Sequence, residues 1–516
     1  MDTARGSMWT GFIIFTVTAT GFSRFIARAK LQIIERDILI IGAGVSGLKC
    51  ANELMKKHKI DKNRIIIVDA QDYIGGRIKQ DESFIKGVKI DLGAEILHGS
   101  DTLLNEFAKE QNEKTENLFC WAHGDGGPDE HPVNGGYGLY YIKSMDGTKK
   151  LLRYDSEDKE FVKTNELLWK LAKLDYNKVS QDKSVHDYLV EKNVTPQMLD
   201  MADAGFSNTL CSSNKDLSLK ETIRWTKMWD EGLEGDSRFL NTFKCLIDYL
   251  KTNCDVRLKT VVKSIDYSGS NGVEICTTDP LLKYRAKCVV CTASVNVLKR
   301  GLIKFIPEFP REKIDALQSM NMNRVIKVIV KFKNRVWPKD LHGMIMSGDN
   351  VLFPEVWFRD VSNLVATDEE ATAYAVGFAC KDYADNLMKF GRENVGKILV
   401  RQLEEVFSLL EPRHMSADGS LSNKISLPSP SNEYIATLVK DWQDENPFIG
   451  GGYASSLVGY PINAGSILAR SLGNGRIIFA GEATNDTRPG ATAHSALETG
   501  VRAANEVSRI ILAKSF

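Results

Sequence analysis

Asp37-Ile38-Leu39-Ile40-Ile41-Gly42-Ala43-Gly44-Val45-Ser46-Gly47-Leu48-Lys49-Cys50 decides the fold. Asp37–Ile41 reads as a short apolar strand, the glycine run follows at once, and Leu48–Lys57 reads as a helix. The next apolar run, Arg64–Val68, also lacks alternation and ends at Asp69-Ala70. Continuous apolar strands flanking a helix indicate a parallel sheet buried on both faces. Gly42, Gly44 and Gly47 carry the spacing G-x-G-x-x-G. The first glycine permits a tight turn, the second lets backbone approach a pyrophosphate, and the third lets helix pack on strand. The turn through Val45 and Ser46 presents helix N–H groups and a positive dipole to phosphate. Asp69 stands 22 residues beyond Gly47, where an acid accepts hydrogen bonds from ribose hydroxyls. The unit is a dinucleotide site by this reading, and the pattern alone does not choose between nicotinamide and flavin.

The rest of the chain sets the frame. Its 516 residues allow two to four domains. Basic and acidic residues both number 67, so bulk charge gives no argument for nucleic acid as a partner. Nine cysteines, an odd and sparse set, exclude a disulfide scaffold. Cys288 and Cys291 lie within one strand-like run with no second C-x-x-C to complete a metal site, so no metal is expected. No charge occurs between Arg5 and Arg24, and Arg24, Arg28 and Lys30 follow. Residues 1–34 are therefore expected to form a targeting or anchor segment. A secretory or membrane-associated fate is favoured, with an organelle transit peptide as the alternative. Asn193-Val194-Thr195 and Asn485-Asp486-Thr487 are glycosylation sequons of no special weight.

From about Asn112 to Asp158, glycines, Pro128 and the acids Asp125, Asp129 and Glu130 suggest a long loop or hairpin insertion. Residues 164–250 are rich in helix formers, and strand signals return at Val256–Ile265, Val273–Cys276, Cys288–Thr292 and Val325–Phe332. A helix is expected over Asn394–Leu410 and a last strand at Ile477–Phe479. The chain thus leaves its first domain and re-enters it.

Further motifs narrow the class. Gln71-Asp72-Tyr73-Ile74-Gly75-Gly76-Arg77 is followed by Asp91-Leu92-Gly93-Ala94-Glu95-Ile96-Leu97-His98-Gly99, and Ala480-Gly481-Glu482-Ala483-Thr484 precedes Gly490-Ala491-Thr492-Ala493-His494. Together with Val262, Thr292, Lys327 and Trp442, these segments resemble the flavin amine oxidase family from about Asp37 to Val507. The resemblance implies an α/β fold, with a Rossmann-like FAD-binding domain and a discontinuous α+β substrate-binding domain. The expected limits are 35–120, 245–320 and 440–516 for the first, and 121–244 and 321–439 for the second. It further implies that Gly76 and Arg77 approach the flavin phosphates and ribityl chain. Gly93 and Ala94 would pass beside the ring, the Val262 backbone would meet the adenine, and Glu482 would bind the ribityl chain. A helix N-terminus at Thr492-Ala493 would face the pyrimidine end of the ring, and Trp442 would lie beside it. Lys327 would be catalytic, holding a water near flavin N5.

Departures lie near the expected substrate pocket: Ile96-Leu97 for a common Trp-Ile or Trp-Val, Ser495 for a glycine, and Glu95 for Thr or Asn. Gly452, in Gly450-Gly451-Gly452-Tyr453, takes the place of the cysteine that binds flavin covalently in monoamine oxidases, so FAD is expected to be non-covalent. The implied chemistry is hydride transfer from the carbon beside an amine to flavin N5, with O2 as the final acceptor, yielding an aldehyde, an amine and H2O2. Glu95 and His98 would orient a second amine of a polyamine, and Trp442 and Tyr453 would wall the flavin or clamp a cationic chain. The partner is thus a small amine or polyamine. Monoamine or amino-acid oxidation and histone-lysine demethylation stay open as alternatives, as do membrane association through the N-terminal segment and the oligomeric state.

Overall fold

Ile38 and Ile40 pack with Leu48, Leu54, Ala503 and Val507 of two helices, while Leu39 and Ile41 pack with Val262, Ile265, Tyr284 and Phe305 on the opposite side. Both faces of the first strand are therefore covered, which is why its sequence shows no alternation. The computed structural model describes residues 31–118, 136–230, 235–270, 272–366, 371–410, 427–459, 463–485, 487 and 490–513. The acids expected in the insertion, and residues 1–30 of the N-terminal segment, lie outside the described residues. Among the described residues no helix is long and apolar enough to cross a membrane.

The first strand, Gln32–Ile41, sits inside an eight-stranded sheet. It runs parallel to Ile65–Val68 on one side and Leu282–Cys291 on the other. The Leu282–Cys291 strand serves two partners in succession. Lys283–Ala286 pairs antiparallel with Val273–Cys276, and Val289–Cys291 pairs parallel with Ile477–Phe479. Distant parts of the sequence thus meet in one sheet, covered by the helices Val45–Lys56 and Ala493–Ala513. Gln32–Ile34, placed by sequence in the N-terminal segment, belong to the first strand, because each pairs with a residue of Leu282–Tyr284.

A second sheet has seven strands, ordered Tyr434–Asp441, Val325–Phe332, Ala373–Cys380, Glu355–Asp360, Leu341–Gly348, Tyr137–Lys143 and Lys149–Arg153. Ile326, Val328 and Val330 point to one face, against Leu399 and Val406 of the helix Val395–Phe407. Residues at alternate positions point the other way. Lys327 pairs with Phe378, and Phe378 with Glu355, so these three side chains stand in one row on that other face.

The insertion ends in an antiparallel hairpin, Tyr137–Lys143 with Lys149–Arg153, at the edge of the second sheet. The strand expected over Val256–Ile265 is broken, because Lys259 and Thr260 turn aside to donate their N–H groups to the carbonyls of Gln71 and Asp69. Asp236–Phe239 pairs with Leu97-His98 and Thr115–Leu118 in a small three-stranded sheet. Cys288 and Cys291 point to opposite faces of their strand and join different cores.

Candidate functional site

The cradle is built on glycine geometry. Gly42 has φ +106°, and a Cβ there would lie 2.2 Å from Thr292 Oγ1. Thr292 is itself fixed by N–H and hydroxyl bonds to the Ile41 carbonyl. Gly44 N-caps the Val45–Lys56 helix without a side-chain cap, so the first-turn N–H groups at Val45, Ser46 and Gly47 are left to an anion. Gly76, at φ +61°, faces Gly44 so closely that its Cβ would come within 3.3 Å of the Gly44 Cα. The glycines thus let the loop, Thr292 and the Gly75-Gly76 turn approach one another closely around the free helix N–H groups, which suits a pyrophosphate.

Asp69 has a second task that the sequence did not show. Its carboxylate accepts from Ala43 N–H at 2.6 Å and Gln71 N–H at 2.7 Å, stapling the glycine loop to the segment that begins at Ala70. Burial raises its pKa, and those two N–H bonds oppose the rise. Val262 lies two residues beyond Thr260, whose N–H binds the Asp69 carbonyl. Arg77 donates to Glu482 at 2.7 Å and to the Gly452 carbonyl at 2.9 Å, joining the two ends of the chain across the cradle. Gly481 N–H donates to Thr499, which also bonds Ser46. Thr492 caps the Ala493–Ala513 helix through a bond from Ser495 N–H at 3.1 Å. These groups fit a dinucleotide running from the Asp69 end to the Glu482 end.

Beyond Arg77 the site changes character. Trp442 is buried, donates to the Leu92 carbonyl at 3.0 Å, and lies so near Gly93 that a Cβ there would be 2.9 Å from its ring. Ala94 N–H reaches back to the Arg77 carbonyl at 3.3 Å. Lys327, 3% exposed, directs its ammonium to Asp91 O at 2.7 Å, Gly93 O at 3.3 Å and Glu95 Oε2 at 2.5 Å. Its three donors therefore all have protein acceptors.

At the far end of the row stands Glu355. Its side chain is partly buried among protein groups. Burial pushes its carboxyl up to about 7, against bonds from Asn208 and Thr209 and the charge of His98. Asn208 Nδ2 and Thr209 Oγ1 approach its Oε2 at 3.3 and 3.4 Å. Both follow a π-helical turn at Asp203–Ser207, a local widening that re-aims side chains and recurs at functional sites. His98 meets Asp236 at 3.0 Å. Burial lowers the His98 pKa, but the Asp236 carboxylate outweighs it and the net shift is upward. Tyr453 donates to the Thr209 carbonyl at 2.6 Å, so it braces this corner.

The structure brings Glu95, Lys327, Gly93, Ala94 and Trp442 together, and gathers His98 and Tyr453 around Glu355. Val262 and Asp69 belong to the opposite end of the cradle. Sequence reasoning missed Glu355, Asn208, Thr209, Asp236 and Trp357. One signal was present: Glu355 is the sole charge in the run Val351–Phe358.

A family model described as flavin containing amine oxidoreductase matches residues 45–508. Protein FLOWERING LOCUS D of Arabidopsis thaliana is 28% identical over 99% of this chain, which spans 59% of that protein. Probable polyamine oxidase 4 of the same plant is 24% identical, covering 93% of this chain and 89% of its own. Lysine-specific histone demethylase 1 homolog 1, also from Arabidopsis thaliana, is 24% identical over 95% of this chain, which spans 54% of it. The chain therefore spans little more than half the length of the first and third of these relatives. Among solved structures, wild-type putrescine oxidase bound to putrescine superposes with a TM-score of 0.69 at 17% identity, covering 93% of this chain and all of the other. Cyclohexylamine oxidase from Brevibacterium oxydans IH-35A gives 0.71 at 16% identity, covering 92% and 99%. At these identities the structural likeness concerns the fold.

Proposed function

From the premise that the chain belongs to the flavin-containing amine oxidoreductase family, we propose that it is an FAD-dependent oxidase of diamines or polyamines. The observation that carries this reading is the Lys327–Phe378–Glu355 row. Glu355 lies two strands from Lys327, roughly 10 Å at the usual strand spacing. An extended diamine or polyamine can place one nitrogen beside Lys327 and another at Glu355; a substrate with a single amine cannot.

FAD supplies the hydride acceptor and the path of electrons to O2. The loop at Gly42–Gly47, Asp69, Gly76, Arg77, Glu482 and the Thr492-Ala493 helix start would hold it, and Gly452 supports non-covalent attachment. The chain's own part is to place and to protonate correctly. Trp357 and Phe378, with ring centroids 5.8 Å apart, line the stretch between the two ends. An alkylammonium has a pKa of about 10.4, and apolar surroundings favour its neutral form. The aromatic stretch thus favours a neutral amine at the reacting end, while Glu355 favours an ammonium at the other. The neutral amine gives up a hydride (two electrons and one proton) and then a second proton to become an imine, and water splits the imine into an aldehyde and an amine. O2 takes up the electrons as H2O2.

A peroxide-coupled screen of spermine, spermidine, their N-acetyl forms, putrescine, monoamines, amino acids and a methylated-lysine peptide tests the reading. KM should worsen as the polyamine is shortened or its distal nitrogen acetylated. A monoamine or methylated-lysine peptide turned over as efficiently as any polyamine would contradict it.

A further inference from the structure

We infer that Glu95 is the counter-ion and positioning residue of Lys327, not a ligand for substrate. The inference rests on the reading that Lys327 borders the flavin ring. Glu95 Oε2 takes the Lys327 ammonium at 2.5 Å. Its other oxygen takes the indole N–H of Trp357 at 3.1 Å and faces Arg238 Nη1 at 3.8 Å. The Lys327 and Glu95 side chains are 3% and 10% exposed. Three separate elements thus converge on one carboxylate: the lysine strand, the Glu355–Asp360 strand and the Asp236–Phe239 strand.

A substrate ammonium could bind Glu95 only by displacing Lys327 or Trp357. Displacing Lys327 would strand a buried cation, and removing one partner of a buried ion pair costs several kcal/mol. Glu355 has no lysine or arginine ion pair among the described residues: its neighbours are two neutral donors and His98, which Asp236 already holds. The two acids therefore divide the work. Glu95 neutralises the lysine at the ring, and Glu355 is left for the substrate. The ring edge then carries an ion pair instead of an isolated positive charge. Arg238 and Arg359 are in turn bridged by Glu116, which fixes the Arg238 guanidinium beside Glu95.

Sulfite binding tests this without any amine. Sulfite adds to oxidised flavin more tightly when positive charge lies near the ring, and its binding bleaches the visible flavin band. In the holoenzyme, Glu95→Gln keeps an acceptor for Trp357 but uncovers the Lys327 charge, and should tighten sulfite binding by about tenfold or more. Lys327→Met should weaken it by a similar factor. The double variant should return close to wild type in sulfite affinity, since removing both charges leaves the net charge at the ring as it was. Its loss of thermal stability should be smaller than the sum of the two single losses, a non-additive cycle expected of groups that act as a pair. Additive losses of thermal stability, or a sulfite affinity within twofold of wild type in Glu95→Gln together with a raised KM for polyamine, would overturn the assignment. Where Glu95→Gln loses its flavin, the double variant carries the test: regained flavin supports the pair, and continued loss overturns it. An enzyme that oxidises no polyamine but shows this sulfite cycle would refute the substrate reading and uphold the role of Glu95.

Discussion

Glu355→Gln makes the sharpest demand on the site. The carboxyl lies at about 7 instead of its ordinary 4.5, with burial as the main cause. At about 1.36 kcal/mol per pH unit, that displacement places on the order of 3 kcal/mol on the ionised form in the folded protein. The sign follows from linkage. A folded-state pKa above the unfolded one means that the native protein keeps a proton which the unfolded chain releases between about pH 4.5 and 7. Stability therefore falls as pH rises through that window, and the full penalty applies at pH 8. Glutamine preserves an oxygen for Asn208 and Thr209 but cannot ionise. The holoenzyme variant should be more stable than wild type at pH 8, by up to about 3 kcal/mol, and should match it near pH 4.5. Binding should move in the opposite direction. Losing the carboxylate partner of a buried ammonium costs about 2 kcal/mol or more, so KM for a polyamine should rise about 30-fold. Wild-type KM should also worsen below pH 7 as Glu355 takes up its proton, and the variant should lose that dependence. Denaturant unfolding at pH 5 and 8 and peroxide-coupled kinetics across the same range measure both effects. A variant that is less stable at pH 8, or that keeps wild-type KM for spermine, would refute the reasoning.

Three other substitutions and one treatment probe the remaining parts. In Asp236→Asn, burial of His98 goes unopposed by its carboxylate partner, so His98 loses its proton at lower pH, and the alkaline limb of the pH–kcat/KM profile that depends on cationic His98 should move to lower pH; an unmoved limb excludes the pair from substrate binding. Gly93→Ala would set a Cβ 1.8 Å from the Arg77 carbonyl and 2.9 Å from Trp442, so the purified variant should hold markedly less FAD, read from the ratio of visible to 280 nm absorbance after gel filtration. Acid precipitation should release FAD into the supernatant. Gly452→Cys should not change that, since a Cβ at 452 would lie 2.2 Å from Val325 Cγ2, and flavin retained on the pellet of the variant would contradict this.

The dinucleotide half was legible because its chemistry is local. Gly42, Gly44 and Gly47 act on their own turn, and the strand and helix that flank them are neighbours in sequence. The unalternating runs at Ile38–Ile41 and Ile65–Val68 announced a sheet covered on both faces, and packing on both sides of the first strand explains them. Order in space was less legible. Leu282–Cys291 gives its first half to one partner and its second half to another, a division no periodicity records. The break at Lys259 and Thr260 was hidden for a similar reason. Both residues turn aside to bond carbonyls some 190 positions earlier in the chain, Gln71 and Asp69.

The substrate end was read only in part, and the reason is physical. A residue's charge is visible in sequence, but its partner is not. Glu95 and His98 sit in one loop and looked like two independent ligands for a second amine. The structure gives each a partner from a distant element, Lys327 for Glu95 and Asp236 for His98. An acid already paired with a buried cation has little charge left to offer a substrate. Among the described residues Glu355 has no lysine or arginine partner, and in sequence it is a single polar letter inside an apolar strand. Its isolation there is what burial acts upon, and burial is what raises its pKa. A lone carboxylate in a strand that otherwise reads as core costs stability until a cation arrives, so such a residue points to the ligand more strongly than an acid in a polar loop.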